Sequence, residues 1–287
     1  MKKFLAIALA AIMLFALAAC GGNNATEGNA GKEVVKVIDI NLTEEEYAFG
    51  VDKAQPELLA DVNAFIDKIM KDGTFEAICN NYFGDGTPVA VESAQYDETK
   101  DQLVVATNAA FEPFEYTVGD KYYGIDMEIA ALLAKELGKE LVINNMDFDA
   151  VCLSVGQHKC DIAMAGLTVK EDRKEHVDFT STYYEASQKL IVKADDTTFD
   201  ACADAAAVEA ILKGYDNTTK IGVQNGTTGN FYVKGDADWG FDGFGVECVG
   251  YKNGALAVQD LVNGNISYVI IDAAPAICIA EAINEVA

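Results

Sequence analysis

Arg173 is the only arginine in a chain whose Lys and Arg total 21. Where every other such charge is a lysine, a lone guanidinium points to work that suits a planar fork of donors. Bidentate capture of a carboxylate is work of that kind; an ordinary surface position in the charged stretch from Lys170 to His176 is the other reading. Upstream, the apolar run Asp161-Ile162-Ala163-Met164 leads into Ala165-Gly166-Leu167-Thr168. A small residue, a backbone carbonyl, a hydroxyl and the guanidinium are thereby gathered around one strand end. Asp272 closes a second apolar run, Tyr268-Val269-Ile270-Ile271, where its carboxylate can meet an ammonium or simply cap the helix that follows. A grip for a carboxylate and a grip for an ammonium suit a small zwitterion such as an amino acid. Between them, Gly222-Val223-Gln224-Asn225-Gly226-Thr227-Thr228-Gly229 reads as a strand, a glycine turn and a helix start, where backbone N–H groups can hold an anion. No Gly-Lys-Ser/Thr follows, which argues against a nucleotide loop.

These residues need elements to carry them. Val34 to Ile38 reads as a strand, and Pro56 to Met70 as a helix with Leu58, Val62, Phe65, Ile66 and Ile69 on one face and Gly73 as its stop. Segment 84–100, with Gly-Asp-Gly-Thr-Pro near its start, reads as a linker. Strands are expected at 103–106, 141–143, 161–165, 189–193, 221–224, 246–249 and 268–271, with helices at 126–137, from 151 to 156, 255–262 and 273–285. Strand–helix alternation predicts an α/β fold with parallel sheets covered by helices, and ligands on such sheets lie in the crevice at the carboxyl ends of the strands.

The first residues set the compartment. Lys2 and Lys3 precede an apolar run from Phe4 to Ala19, which reads as an export signal over 1–19. The run ends Leu17-Ala18-Ala19-Cys20-Gly21 and resembles a bacterial lipobox, so Cys20 is expected to be acylated. Residues 20–32 then form a lipid anchor and flexible tether. The chain beyond is expected to be soluble and held at the cell surface or in the periplasm. The net charge of −25 falls to about −27 without Lys2 and Lys3. So acidic a surface argues against nucleic acid and against charge-driven binding to anionic lipid. The six cysteines after Cys20 read as buried thiols, with Cys152 and Cys160 the first pair to test for a disulfide.

Several longer runs carry a resemblance. They are Ala106 to Glu115 with Phe111-Glu-Pro-Phe114, Gly124 to Ala130, Met146-Asp-Phe-Asp149, Ala165 to Arg173, and Val177-Asp-Phe-Thr180. Together with Gly222 to Thr228 and Val269 to Ala276, they resemble the polar amino-acid-binding proteins of ABC importers, family 3. The resemblance implies a two-lobed, type II periplasmic-binding-protein-like fold, with two parallel-rich sheets joined by a two-strand hinge. It further implies that Phe111 and Phe148 sandwich the ligand's side chain. Thr168 and Arg173, helped by Thr228, would hold its carboxylate, and the Gly166 carbonyl and Asp272 its ammonium. Lys170 stands where many similar proteins have a second Thr. Asn108 stands where many have Asp, which favours a polar neutral ligand over a cationic one. The implied partners are a free amino acid and the membrane permease of an importer; the chain is expected to be a monomer without cofactor or metal.

The order of segments departs from that family. Thr43 to Val51, Pro56 to Leu59, Lys71 to Phe75 and Tyr82-Phe83-Gly84 resemble a stretch that closes the chain in similar proteins, yet here they come first. A circular permutation is expected, with 84–100 joining the former ends; seventeen residues span up to roughly 55–60 Å. Lobe one is expected over 47–190, and lobe two over 33–45 with 194–287. An enzyme of the same fold, similar to cyclohexadienyl dehydratases, and a sensory ligand-binding module are the alternatives. His158 and His176 flank charged stretches, and no nucleophile–base pair is evident. Asp236, Asp238, Asp242 and Glu247 fall at several calcium-loop positions, but the sixth position is Phe241, not the Gly such a loop needs.

Overall fold

The computed structural model describes residues 33–238 and 240–287. The export signal, Cys20 with its tether, and Trp239 lie outside the described residues. Two five-stranded sheets organise the chain. The first has the order β10 (Val177–Phe179), β3 (Gly50–Asp52), β9 (Ile162–Ala163), β4 (Gln102–Thr107), β8 (Glu140–Asn145). One face packs beneath α1 (Pro56–Asp72) and α3 (Ile125–Leu137) through Leu103, Val105, Ile143 and Met164. The other packs on α4 (Phe148–Gly156) through Ala106, Ala163 and Val177. The second sheet has the order β1 (Val35–Ile38), β12 (Gln188–Lys193), β15 (Tyr268–Asp272), β13 (Lys220–Gln224), β14 (Glu247–Tyr251). It is covered on one side by α7 (Gly254–Asn263) and α8 (Ala273–Val286), and on the other by α5 (Ala205–Leu212) and α6 (Thr228–Lys234). The α/β layering is what the strand–helix alternation implies, and the two lobes are what the resemblance implies.

Each sheet is only half parallel. β4 runs parallel to β8 and β9, and β13 to β14 and β15. The pairings β3–β9, β10–β3, β12–β15 and β1–β12 are antiparallel. β3 and β12 are preceded by β2 (Glu45–Tyr47) and β11 (Tyr184–Ala186), which pair with each other as a two-stranded ribbon. The ribbon is the hinge. The crossing expected near 47–51 and 189–193 is therefore displaced, since Gly50–Asp52 already belongs to the first sheet and Gln188–Lys193 to the second.

Helix α1 shows why the pattern works. Leu58, Val62, Phe65, Ile66 and Ile69 are its buried stripe, Pro56 opens it, and Gly73 ends it at φ 85°. The segment 84–100 has the irregular backbone expected of a linker, yet it is fastened along its length. Val91 exchanges backbone hydrogen bonds with Tyr122, the Ala94 N–H donates to the Leu141 carbonyl at 2.8 Å, the Ser93 hydroxyl accepts from the Ile143 N–H at 2.8 Å, and the Glu128 carboxylate accepts from the Val89 N–H at 3.0 Å. Helix α2 (Thr74–Phe83), helix α5 and a three-stranded sheet of β5 (Ala110–Phe111), β6 (Glu115–Val118) and β7 (Lys121–Tyr123) were not expected from the sequence. Cys152 and Cys160 are buried free thiols, and no disulfide forms among the described residues.

Candidate functional site

A small cleft lies between the lobes, lined by Phe111, Phe148, Gly166, Thr168, Arg173, Thr227, Thr228 and Asp272. Phe111 ends β5 and Phe148 opens α4, while Gly166 and Thr168 follow β9. Arg173 begins a single 3-10 turn, Arg173–Glu175, capped by the Asp172 carboxylate. Thr227 caps α6 just beyond β13, and Asp272 ends β15. The site thus lies at the carboxyl ends of the parallel strands, where that topology places ligands. Gly166 must be glycine: its φ is +53°, and a Cβ there would meet Phe111 Cε1 at 3.0 Å and Tyr47 Cε2 at 3.3 Å.

All the ligand-contact residues expected from the sequence line this cleft except Asn108. Its amide is buried and committed elsewhere: Nδ2 donates to the Met146 carbonyl at 2.6 Å, and Oδ1 accepts from Gln224 Nε2 at 3.1 Å. It closes the two lobes on each other and does not border the cavity. Thr227 lines the cleft where only Thr228 was expected; nothing in a Thr-Thr pair says which one turns inward. The buried Arg173 guanidinium donates to the carbonyls of Thr168 (2.7 Å) and Gly226 (3.0 Å) and stacks over Phe148 at 5.2 Å. The Thr228 hydroxyl donates to Thr168 Oγ1 at 3.2 Å, and the Thr168 hydroxyl donates to Glu45 Oε2 at 2.7 Å. Thr168 therefore presents lone pairs to the cleft, in contrast to the donor role toward a carboxylate that the resemblance implies.

Around Asp272 lie three further buried acids, Glu45, Glu115 and Asp126, that sequence reasoning missed. Asp272 Oδ1 accepts from the Tyr47 hydroxyl at 2.5 Å. Asp126 accepts from the Gly166 N–H at 2.9 Å and the Tyr183 hydroxyl at 2.7 Å, which fixes the backbone beside the cavity. Both Glu115 oxygens are buried without a hydrogen bond. Among the described residues, none of Glu45, Glu115, Asp126 and Asp272 forms a salt bridge. Burial, with the Glu45 charge adding to it, pushes Asp272 up to about 7; burial pushes Asp126 to about 7. Glu115 is raised well above its usual range by burial and by its acidic neighbours Asp126 and Asp272.

Charged pairs also cross between the lobes. Lys170 is buried against Asp236 at 3.0 Å and over the Phe231 ring at 3.1 Å. Lys252 meets Asp147 at 3.3 Å in a more exposed setting. Asp236 is thus engaged with Lys170 and in a bridge to Phe241. Among the described residues, no group of three or more His, Cys, Asp or Glu is arranged to hold a metal ion. His158 pairs with Asp52 at 2.8 Å, and neither histidine lines the cleft.

Two α/β lobes on a ribbon hinge, with a polar cleft between strand ends, define a solute-binding protein of the type II class. Residues 103–269 match the bacterial extracellular solute-binding proteins, family 3, and the chain belongs to that family. The ABC transporter arginine-binding protein 1 of Escherichia coli (strain K12) is 31% identical over 176 residues, 61% of this chain and 64% of its own length. The arginine-binding extracellular protein ArtP of Bacillus subtilis (strain 168) is 36% identical over 96 residues, 33% of this chain and 38% of its own. The chain thus spans less than two thirds of these relatives. Among solved structures, the ancestral amino acid-binding protein AncCDT-1, a precursor of cyclohexadienyl dehydratase, superposes with a TM-score of 0.54 at 28% identity, covering 63% of this chain and 75% of that one. Among the described residues, no helix is long and apolar enough to cross a membrane.

Proposed function

We propose that this chain captures a free amino acid outside the cell and delivers it to an ABC importer by closing its lobes. The observation that carries the reading is that Arg173 and Asp272, from different lobes, border one small cleft together with Phe111 and Phe148. A ligand carboxylate would take the guanidinium from the carbonyls it now holds, its ammonium would meet Asp272 and the Gly166 carbonyl, and its side chain would lie between the two rings. Only the closed form makes all these contacts, so a ligand stabilises closure. The neutral preference expected from the sequence rests on Asn108 as a ligand contact, and the cleft gives it no support, since that amide is bonded to Met146 and Gln224 and does not border the cavity. Relatives named for arginine make that amino acid the first to test in any screen. Melting-temperature shifts against the twenty amino acids and cystine test the reading, because a ligand bound only by the native state raises the midpoint. No shift with any of them overturns it.

The finer assignments belong to the same proposal. Lobe one, expected over 47–190, ends instead before the ribbon strand β11, because β12 belongs to the second sheet, so lobe two comprises 33–45 with 188–287; Cys20 carries the lipid that holds the protein at the membrane. Mass spectrometry of the mature N-terminus tests the lipid. A circular permutation is supported by the path of the chain. Segment 33–83 precedes the family match, yet β1 pairs with β12 of the second sheet while α1 packs over the first. An enzyme remains the second reading because of the likeness to a dehydratase precursor; turnover of a bound ligand would establish it.

A further inference from the structure

The hinge ribbon carries an acid that reaches the cleft through an intermediary. Glu45, in β2, is buried and does not border the cavity. Its Oε2 accepts the Thr168 hydroxyl at 2.7 Å, while Oε1 accepts from Thr43 Oγ1 at 2.6 Å and Gln188 Nε2 at 3.0 Å. Gln188 lies directly opposite Asp272 in the β12–β15 register. A hydroxyl has one hydrogen. With that hydrogen committed to Glu45, Thr168 offers the cleft only lone pairs, and the Thr228 hydroxyl, at 3.2 Å, occupies one side of the same oxygen. An oxygen held in this state, backed by a carboxylate, receives a charged donor far better than a neutral one.

We infer that Glu45 is a positioning residue: it holds Thr168 as an acceptor for the ligand's α-ammonium and so makes the cleft select an amino group over a hydroxyl at that carbon. The inference rests on the proposed amino-acid reading and adds to it a residue on the hinge. Asp272 alone would also attract an ammonium, but an acid that touches the ligand tolerates a hydroxyl donor as well. A threonine whose only hydrogen is taken by Glu45, with a second carboxylate behind it, sharpens the preference for positive charge.

The test uses the full chain and two probes: the amino acid that raises its melting point most among the twenty, and that amino acid's 2-hydroxy counterpart. The readout is the ratio of their affinities by titration calorimetry. In Glu45→Gln the amide oxygen can still accept from Thr168, but the charge is gone. We expect this variant to bind the amino acid about tenfold more weakly and the hydroxy acid nearly unchanged, so that the ratio falls about tenfold. An unchanged ratio in a variant that melts normally overturns the role of Glu45. If E45Q does not fold, Thr168→Val decides. It removes the oxygen through which Glu45 acts, so the same collapse of the ratio is expected, and an intact ratio overturns the inference. Failure of the unaltered chain to bind any amino acid is a different outcome, which removes the proposed function itself.

Discussion

At one end of the cleft Arg173 already holds two carbonyls and the threonine hydroxyls are bonded in series; at the other, Asp272, Glu45 and Glu115 crowd together with no cation paired to them. The first end is satisfied by the protein itself. A ligand carboxylate entering there exchanges neutral acceptors for a charged one, a gain in hydrogen-bond strength but not the filling of an empty position. The second end resists ionisation, because burial raises Asp272 and Glu115, and an arriving ammonium favours the ionised form of Asp272. The contrast teaches that the two charged ends of one ligand can be recognised by different means, exchange at one and neutralisation at the other.

Breaking the satisfied end gives the largest expected effect. Arg173→Ala leaves a desolvated carboxylate without its partner, and affinity measured by calorimetry should fall by about two to three decades. Asp272→Asn attacks the second end. Glu45 and the Gly166 carbonyl remain, so the loss should be smaller, about one to two decades. If D272N costs more than R173A, the asymmetry drawn here is reversed.

Acidity sharpens the comparison without mutation. In the empty cleft Asp272 holds its proton up to about pH 7, against about 3.9 for a free aspartate. An ammonium requires the ionised form, so binding below pH 7 must expel that proton. Affinity should fall toward acid by up to about tenfold per unit, with calorimetry in buffers of different ionisation enthalpy showing proton release. The stability of the empty protein runs the other way. A carboxyl whose folded pKa is raised favours the fold at low pH and loses that advantage between about 4 and 7. In D272N the proton release assigned to this group should disappear. Asp126, also near 7, faces Tyr183 and Gly166 and is expected to titrate without changing the ligand's charge balance.

Smaller effects test the frame around both ends. Gly166→Ala forces a side chain into a left-handed backbone and against Phe111; a loss of about 1–3 kcal/mol of stability is expected, read as a lower melting point. Lys252→Met removes the exposed charge facing Asp147. It should weaken binding only a few-fold, because the pair adds to closure without touching the ligand.

The parts of this site that could be read from the sequence share one property: a single residue carried its own signal. Arg173 had no competitor of its type, and Asp272 ended a run of four apolar residues. Phe111 and Phe148 came from a resemblance, while Gly166, Thr168 and the turn carrying Thr228 were first read at strand ends and given roles by it; the structure gathers all five in one cleft. Glu45 was hidden because Thr43-Glu-Glu-Glu-Tyr47 looks like a solvated charge run. Only pairing with β11, far along the chain, gives it the alternation that buries Glu45 and Tyr47 and exposes Glu46. Sequence periodicity cannot show this in a three-residue strand. Asn108 was misplaced for a related reason, since its partners Met146 and Gln224 come from both lobes and appear only when the lobes meet. Helix α5 escaped notice because its many alanines leave little contrast between its faces. The half-parallel sheets were missed because the direction of β3 and β12 is set by the partners β9 and β15, which lie far along the chain.

Asn284, near the end of α8, accepts the N–H groups of Val34 and Val35 through Oδ1 and donates to the Val35 carbonyl through Nδ2. One amide thus rivets the leading edge of β1 to the last helix, within the lobe that carries Asp272. Any pull arriving through the residues before 33 is taken up by that rivet and by the β1–β12 ladder, and it bypasses the hinge ribbon. The lobe bearing Arg173 is left to swing as an unloaded jaw.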